Sequence, residues 1–296
     1  MVSASAGAQA SSSDSQNWSF AFVRDLATEL SAGRVELPSF PEAAARVQQV
    51  LSDESVTSER IARVISADAG LAARVLTMAN STLLHRGGTA VTDLKAAITR
   101  IGYDHIRVAA LSYANGQLRR AAALAPIRAE LEICWQEGIR VAALAHAMAK
   151  ESRCVRTDEA MLAGLLHNIG KVYIIARSHQ GSERGAGSHR VDEAVVQHWY
   201  PSVGQALIEN WKLPDEIAAA VSGQLELDRH HEGPPDLQDL LIVATHVAAQ
   251  MANNCADDSA LAKMPPAIAL GLTDSAFVRI VLESQTELEM LQAALG

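Results

Sequence analysis

Aromatic residues are scarce in this sequence, which has four Phe, four Trp and four Tyr among its 296 residues. Hydrophobic residues nevertheless make up 49% of the chain. The core must therefore be built from Ala, Leu, Val and Ile, and such side chains suit closely packed helices. An uninterrupted apolar stretch of about 18 residues is also missing, so the sequence predicts no membrane-spanning helix.

Cysteines are few, and their arrangement excludes a disulfide framework. Cys134, Cys154 and Cys255 are odd in number, lie far apart and form no CxxC pair. Two of them fall in apolar helical runs. This usage is typical of reduced core thiols, so the sequence predicts a cytoplasmic protein without a cysteine-based zinc site.

Positive charge is also in short supply, since 25 Lys and Arg face 34 Asp and Glu for a net charge of −9. General nucleic-acid binding needs clustered Lys and Arg, so we expect no nucleic-acid partner. Residues 1–16 lack the basic and then apolar order of a secretory signal. Their small, polar composition predicts a disordered tail.

Apolar residues recur with helical spacing along most of the remaining chain. Phe22, Leu26 and Leu30 lie about one turn apart, and a further helix is predicted from Glu42, after a proline-containing lead-in. Gly102 is predicted to break a long pattern into two helices. Because no convincing alternating strand pattern occurs, the sequence predicts an all-α fold.

The second half of the chain is also predicted to be helical. The run TDEAMLAGLLHNIGKVYIIARS, residues 157–178, predicts one helix, and the Gly/Ser-rich residues 179–190 predict a loop. Three helical segments are predicted around residues 191–209, 214–226 and 237–252, followed by a helix that closes the chain. A boundary near residues 115–127 divides a predicted first lobe, 17–120, from a second, 121–296.

Two regions resemble the HDOD family, the "HD-related output domain" of bacterial signalling proteins. The first starts at LPSFP, residues 37–41, and continues into a helix with the matching positions Asp68, Leu71, Arg74, Leu76, Ala79, Asn80 and Ser81. The second contains AGLLHNIGKV, residues 163–172, and PSVGQALIENWKLPDEI, residues 201–217. The resemblance covers roughly residues 30–250. It implies a two-lobe helical bundle whose second lobe is similar to the HD phosphohydrolases.

The resemblance also implies where a metal would bind, because an HD phosphohydrolase uses a first His, a His-Asp pair and a distant Asp. The corresponding positions here are Glu137, His167, Asn168 and Thr245. Imidazole and carboxylate groups bind the divalent ion that activates a water, whereas an amide oxygen is a weak neutral ligand. Three of the four positions are altered, so we expect no metal, no cofactor and no catalytic residue.

Other histidines do not restore this ligand set by spacing. The family often carries His where Tyr200 stands and a His-His pair near Gln224 and Leu225. His230, His231 and His246 remain as substitutes that only the fold could bring close.

The arginines Arg119, Arg120 and Arg128 form a modest basic patch, which we interpret as a solvated face.

The favoured functional hypothesis is a non-enzymatic regulatory module of bacterial signal transduction that binds a protein partner. One alternative is a weak metal-dependent phosphohydrolase or phosphodiesterase in which Glu137 and His167 still hold the ion. Another is a receptor for an anionic nucleotide in the former active-site pocket.

Overall fold

The computed structural model describes residues 21–32, 42–51, 53, 55–81, 90–184, 191–253, 261 and 263–295. The described residues form α-helices and one 3-10 segment and include no strand, so the all-α prediction is confirmed for them. The predicted disordered tail, residues 1–16, and Cys255 lie outside them. No described helix is both long and apolar enough to cross a membrane.

The helices follow one another with short connections. They are α1 (21–31), α2 (Glu42–Leu51), α3 (Ser58–Ser66), α4 (Ala69–Ala79), α5 (Leu94–Arg120), a 3-10 segment (Ala122–Ile127), α6 (Arg128–Ser152), α7 (Thr157–Leu166), α8 (Ile169–Arg184), α9 (Glu193–Asn210), α10 (Asp215–Ser222), α11 (Leu237–Ala252), α12 (Pro265–Ala269) and α13 (Asp274–Leu295).

Side-chain caps fix where the helices of the first half begin. Thr57, Asp68 and Asp93 each accept a backbone N–H from the first turn of α3, α4 and α5. Such caps satisfy amides that have no partner inside the helix. The Tyr113 hydroxyl also donates to Asp68 at 2.8 Å, so this cap ties α4 to α5.

Two sequence features of the first half have clear structural roles. The Asn80 side chain makes two hydrogen bonds of 2.8 Å with the backbone of Val91, which tie the end of α4 to the segment before α5. Gly102 has φ +78°, a conformation that favours glycine, and interrupts α5. The break predicted at Gly102 is confirmed.

Close backbone contacts hold the helices of the second half together. A Cβ atom on Gly164 would lie 2.6 Å from the Cα of Ala142, so α7 packs directly on α6. A Cβ on Gly170 would lie 2.0 Å from the Tyr200 carbonyl oxygen, so α8 meets α9 in the same way. These contacts need residues without side chains, and they position the segment between α7 and α8.

The prediction of one helix over residues 157–178 is wrong, because the chain leaves the helix at His167 and Asn168. The backbone carbonyl of His167 instead accepts a hydrogen bond from the Gln224 side chain. The prediction of a loop over residues 179–190 is wrong for the first part of that range, since α8 continues to Arg184. His179 there contacts the Ala123 carbonyl at 3.0 Å, a tertiary contact that periodicity does not reveal. The predicted helix over 214–226 ends at Ser222.

Both terminal helices pack on the second half of the chain. In α1, Glu29 accepts hydrogen bonds from Tyr173 and Arg177 of α8, at 2.6 and 2.7 Å. The last helix, α13, lies along α6, where Arg279 pairs with Glu151. The division into lobes 17–120 and 121–296 stays a prediction, and the Glu29 contacts cross it.

Candidate functional site

The candidate site lies at the break between α7 and α8, where His167 and Asn168 are both buried. The His167 Nδ1 atom lies 2.7 Å from the Gly164 carbonyl oxygen, which can only accept, so Nδ1 carries the hydrogen. Through this nitrogen, His167 is tied to its own helix α7. Gln224 donates to the His167 carbonyl at 2.7 Å and fixes the break from the other side.

The Asn168 amide is tied to the adjacent helix α6. Its Nδ2 atom donates to the Cys134 carbonyl oxygen at 2.7 Å and lies 3.4 Å from Glu137 Oε2. The buried amide therefore has a hydrogen-bond partner on α6. Burial, with a contribution from Glu137, raises the pKa of the Cys134 thiol to about 11, so this cysteine is an unreactive core residue.

Three polar side chains meet at Glu137, which projects from α6. Its Oε1 atom lies 3.8 Å from His167 Nε2 and 3.4 Å from Lys171 Nζ. Partial burial alone would raise the pKa of Glu137, but His167, Lys171 and Asn168 outweigh it and lower that pKa to about 2. Glu137 is therefore an ionised carboxylate held by groups of its own chain.

Lys171 belongs to the site and was not singled out from the sequence. Its ammonium group lies 4.7 Å from the centre of the Tyr200 ring, which is close enough for a cation–π contact. Because Lys171 follows His167 by one helical turn, the spacing in AGLLHNIGKV offered a signal for it. Burial, with a smaller contribution from Glu137, raises the pKa of the Tyr200 hydroxyl.

The residues at this site do not fit the divalent ion that an HD phosphohydrolase uses. The Asn168 amide is neutral and donates to the Cys134 carbonyl, while the Lys171 ammonium already offsets the Glu137 charge. Thr245 is no substitute for the distant carboxylate, because its hydroxyl contacts carbonyls of its own helix at 2.9 and 3.0 Å. Of the four HD positions, Glu137 and His167 supply a carboxylate and an imidazole close together.

The other histidines considered from the sequence have different partners. His246 lies 3.1 Å from Gln250 on its own helix, and His231 Nε2 lies 2.7 Å from Asp239 Oδ2. No described contact joins either of them to His167. Where the family often carries histidines, Tyr200 and Gln224 are both buried.

A second cluster of possible ligands, His231, Asp236 and Asp239, lies where α11 begins, with ligand atoms within 4.8 Å of one another. Arg229 donates to Asp236 at 2.7 and 2.9 Å and to Asp239 at 2.6 Å. The guanidinium therefore already neutralises both carboxylates, so we interpret the cluster as an ion-pair network rather than a metal site.

The HDOD domain profile matches residues 37–226, a range that contains Glu137, His167, Asn168 and Lys171. The chain belongs to the HDOD domain family. The helical break at His167 and the contacts around it are thus features of an HDOD domain, while α1 and α13 lie outside the matched residues.

Solved structures share the fold at low sequence identity. One is a crystal structure from Shewanella amazonensis SB2B, named as a proposed metal-dependent phosphohydrolase. It is 22% identical to this chain, with a TM-score of 0.67. The superposition covers 91% of this chain and 99% of the Shewanella chain. An HDOD domain protein of unknown function from Geobacter sulfurreducens is 19% identical, with a TM-score of 0.59 and coverage of 91% and 98%. These similarities confirm the HD-like helical fold.

A curated relative adds no function. An uncharacterized protein of Treponema pallidum (strain Nichols) is 23% identical over 205 residues. The match spans 65% of this chain and 38% of the relative, so the chain covers well under half of that protein.

Proposed function

We propose that this HDOD domain is a non-enzymatic regulatory module of bacterial signal transduction that acts by binding a protein partner. The observation that supports the proposal is the set of internal contacts at Glu137. Its charge is offset by Lys171 at 3.4 Å, and Asn168 is engaged by the Cys134 carbonyl. A divalent ion would have to displace the Lys171 contact and would gain a neutral amide in place of a carboxylate.

The proposal makes the former active site a structural centre. The three helices α6, α7 and α8 meet there through buried polar contacts of Asn168 and His167. These buried hydrogen bonds favour one arrangement of the surrounding helices, because an arrangement that broke them would leave polar groups unpaired. Such a rigid scaffold suits a protein that presents a surface to a partner.

Metal content and hydrolysis test this proposal together. We expect no stoichiometric manganese, iron or zinc in the chain after dialysis, by elemental analysis, because one carboxylate and one imidazole offer too few ligands for tight binding. We also expect no hydrolysis of a cyclic dinucleotide or of a phosphodiester reporter above that of His167→Ala. One metal per chain, or hydrolysis lost in His167→Ala, would overturn the proposal.

The second candidate is a weak metal-dependent phosphohydrolase, and the orientation of His167 favours it. Histidines that bind metals donate their other ring N–H to a carbonyl or carboxylate, as Nδ1 of His167 does to Gly164. Its Nε2 atom faces Glu137 at 3.8 Å. The same metal and hydrolysis measurements decide between the two candidates, and a thermal-shift screen of nucleotides tests the receptor hypothesis.

A further inference from the structure

The connection between α10 and α11, residues 223–236, has no helix of its own. We call it the leucine turn. Irregular connections of roughly a dozen residues or more are uncommon in compact domains and are usually either functional or disordered. The hydrogen bonds within this connection show whether it is an ordered segment or a disordered one.

Ion pairs fix the second half of the leucine turn. Arg229 bonds both Asp236 and Asp239, and His231 lies 2.7 Å from Asp239. Asp239 is fully buried, and a buried carboxylate is stable only when it is paired and hydrogen-bonded. Since Arg229 and His231 both belong to the turn, their contacts with the buried Asp239 hold this segment in one conformation.

Amide side chains fix its first half. Gln224 donates to the carbonyls of His167 and Val221, both at 2.7 Å. Gln238 reaches back from α11 to the Gly223 carbonyl at 3.3 Å and to Glu226 at 3.1 Å. The turn is therefore an ordered element, joined through Gln224 to the break that carries His167.

This ordered element exposes two leucines. Leu225 is 52% exposed and Leu227 is 40% exposed. One exposed leucine is ordinary on a protein surface, but two on a turn fixed by a buried ion pair form a preorganised apolar anchor. Burying their exposed surface in a complex would remove apolar area from water, which favours association.

The surroundings of the two leucines are acidic. Glu226, Asp228 and Glu232 are exposed on the same turn, and Arg229 is engaged internally with Asp236 and Asp239. The whole chain carries a net charge of −9. A partner surface that complements this turn needs aliphatic side chains flanked by Lys or Arg.

We propose that the leucine turn is a docking surface for a basic amphipathic segment of a partner protein, with Leu225 and Leu227 as its apolar anchors. This inference rests on the proposed function, because it names the surface and the partner chemistry of that regulatory role. The anchoring of the turn lowers the ordering cost that binding would otherwise incur.

A synthetic helical peptide of Leu and Lys, with its leucines along one face, is the probe for this surface. The same peptide with Glu in place of Lys is the charge control. Fluorescence anisotropy with the full chain at physiological salt should show binding of the Lys peptide and none of the Glu peptide. Hydrogen exchange should show protection by the Lys peptide within residues 223–236.

Matched variants separate the leucine turn from general attraction to an acidic protein. The double variant Leu225→Ser with Leu227→Ser should lower the affinity for the Lys peptide by at least about tenfold, as expected for the loss of an anchor. Leu282→Ser removes a leucine that is 61% exposed on α13 and should leave binding unchanged. Both sites are exposed, so circular dichroism should show intact folds.

Several outcomes would overturn the inference. These are no binding of the Lys peptide, equal binding of the Glu peptide, and equal loss in the Leu282→Ser control. Self-association of the chain that disappears in the double variant would also overturn it, because the occupant would then be a second copy. A chain that holds a metal and hydrolyses phosphodiesters, yet still binds the Lys peptide through the turn, would refute only the proposed function. A metal-free chain that fails to bind the Lys peptide would refute only this inference.

Discussion

At the scale of single residues, the former HD positions are held by neighbours of their own chain. The Asn168 amide donates to the Cys134 carbonyl and lies close to the Glu137 carboxylate. Lys171 pairs with the same carboxylate. Substitutions at these positions should therefore act first on stability. The direction of each effect follows from the charge and the hydrogen-bonding role of the atom that is changed.

Asn168→Asp is expected to destabilise the fold without creating an enzyme. A carboxylate would replace the amide that donates to Cys134 O at 2.7 Å, and it would lie beside the Glu137 carboxylate. An acceptor facing an acceptor, with a like charge nearby, should cost about 1–3 kcal/mol. Urea unfolding at pH 7 measures this cost, with the exposed Asn253→Asp as control.

The penalty for Asn168→Asp should shrink as the pH is lowered, since a protonated carboxyl can again donate to the Cys134 carbonyl. The new Asp should have a raised pKa in the folded state, so its favourable form is populated at low pH and lost as the pH rises. Greater stability of the variant only with added manganese or zinc would show instead that the site is a nearly intact metal centre.

Glu137 should make the stability depend on pH in the acid range. Its folded-state pKa of about 2 lies below the ordinary 4.5. It therefore stabilises the fold above about pH 4.5, and this contribution is lost as the pH falls toward 2. In denaturant melts, the difference in unfolding free energy between wild type and Glu137→Gln should shrink from pH 6 to pH 3.

Glu159→Gln is the control of opposite sign for the Glu137 prediction. Burial, with smaller contributions from Asp158, Asp104 and Glu216, raises the pKa of Glu159 despite the nearby Arg156. The unfolding free energy of the wild type should therefore rise relative to that of Glu159→Gln as the pH falls. Parallel pH profiles for the two variants would contradict the assignment of the ion pairs at Glu137.

At the scale of helices, glycine decides how closely neighbours pack. Gly164 and Gly170 lie where α7 and α8 touch the backbones of α6 and α9. The spacing AGLLHNIGK therefore has a packing role in addition to its resemblance to an HD motif. This packing role of the two glycines does not depend on a metal site.

Gly170→Ala should be strongly destabilising, because its Cβ would lie 2.0 Å from the Tyr200 carbonyl oxygen. Backbone atoms cannot move aside as a flexible side chain can, so we expect a cost of about 3 kcal/mol, at the upper end for overpacking. Thermal and urea unfolding measure it. Gly116→Ala in α5 is the matched control, since a Cβ there meets nothing within 4 Å.

The control should be neutral or stabilising by up to about 1 kcal/mol, the helix-propensity difference between Gly and Ala. If Gly170→Ala were as stable as Gly116→Ala, the close contact of α8 with α9 would be refuted.

At the scale of the whole molecule, segments outside the family match fix helices that carry the site. Glu29 of α1 bonds Tyr173 and Arg177 of α8, and α13 lies along α6. The His146–Glu287 contact of 3.4 Å and the Lys150–Glu283 pair join α6 to α13. The helices that carry Glu137 and Lys171 are thus held from both ends of the chain.

Glu29→Ala should loosen α1 from α8 and lower the unfolding free energy by about 1–2 kcal/mol, since two hydrogen bonds to a charged group are lost. Hydrogen exchange should become faster in residues 21–31. Asp25→Ala is the control on the same helix, because its described partner is only the adjacent, exposed Arg24. Equal effects of the two variants would show that Glu29 is not a tie between the helices.

Much of this protein follows from local sequence. Apolar periodicity and polar caps such as Thr57 and Asp68 determine where the first helices begin, because capping depends on residues within one turn. The break at Gly102 follows from one residue that tolerates positive φ. The assignment of Glu137, Asn168 and Thr245 to altered HD positions stays a prediction from the resemblance.

Other features were decided only by tertiary structure. The run over residues 157–178 has unbroken helical periodicity, and the break at His167 depends on Gln224, distant in sequence, to satisfy the freed carbonyl. The contact of Lys171 with Glu137 and the pairing of Arg229 and His231 with Asp239 likewise join separate segments. Periodicity reports which face of a segment is buried, whereas a buried polar group is stable only with a partner that folding brings to it.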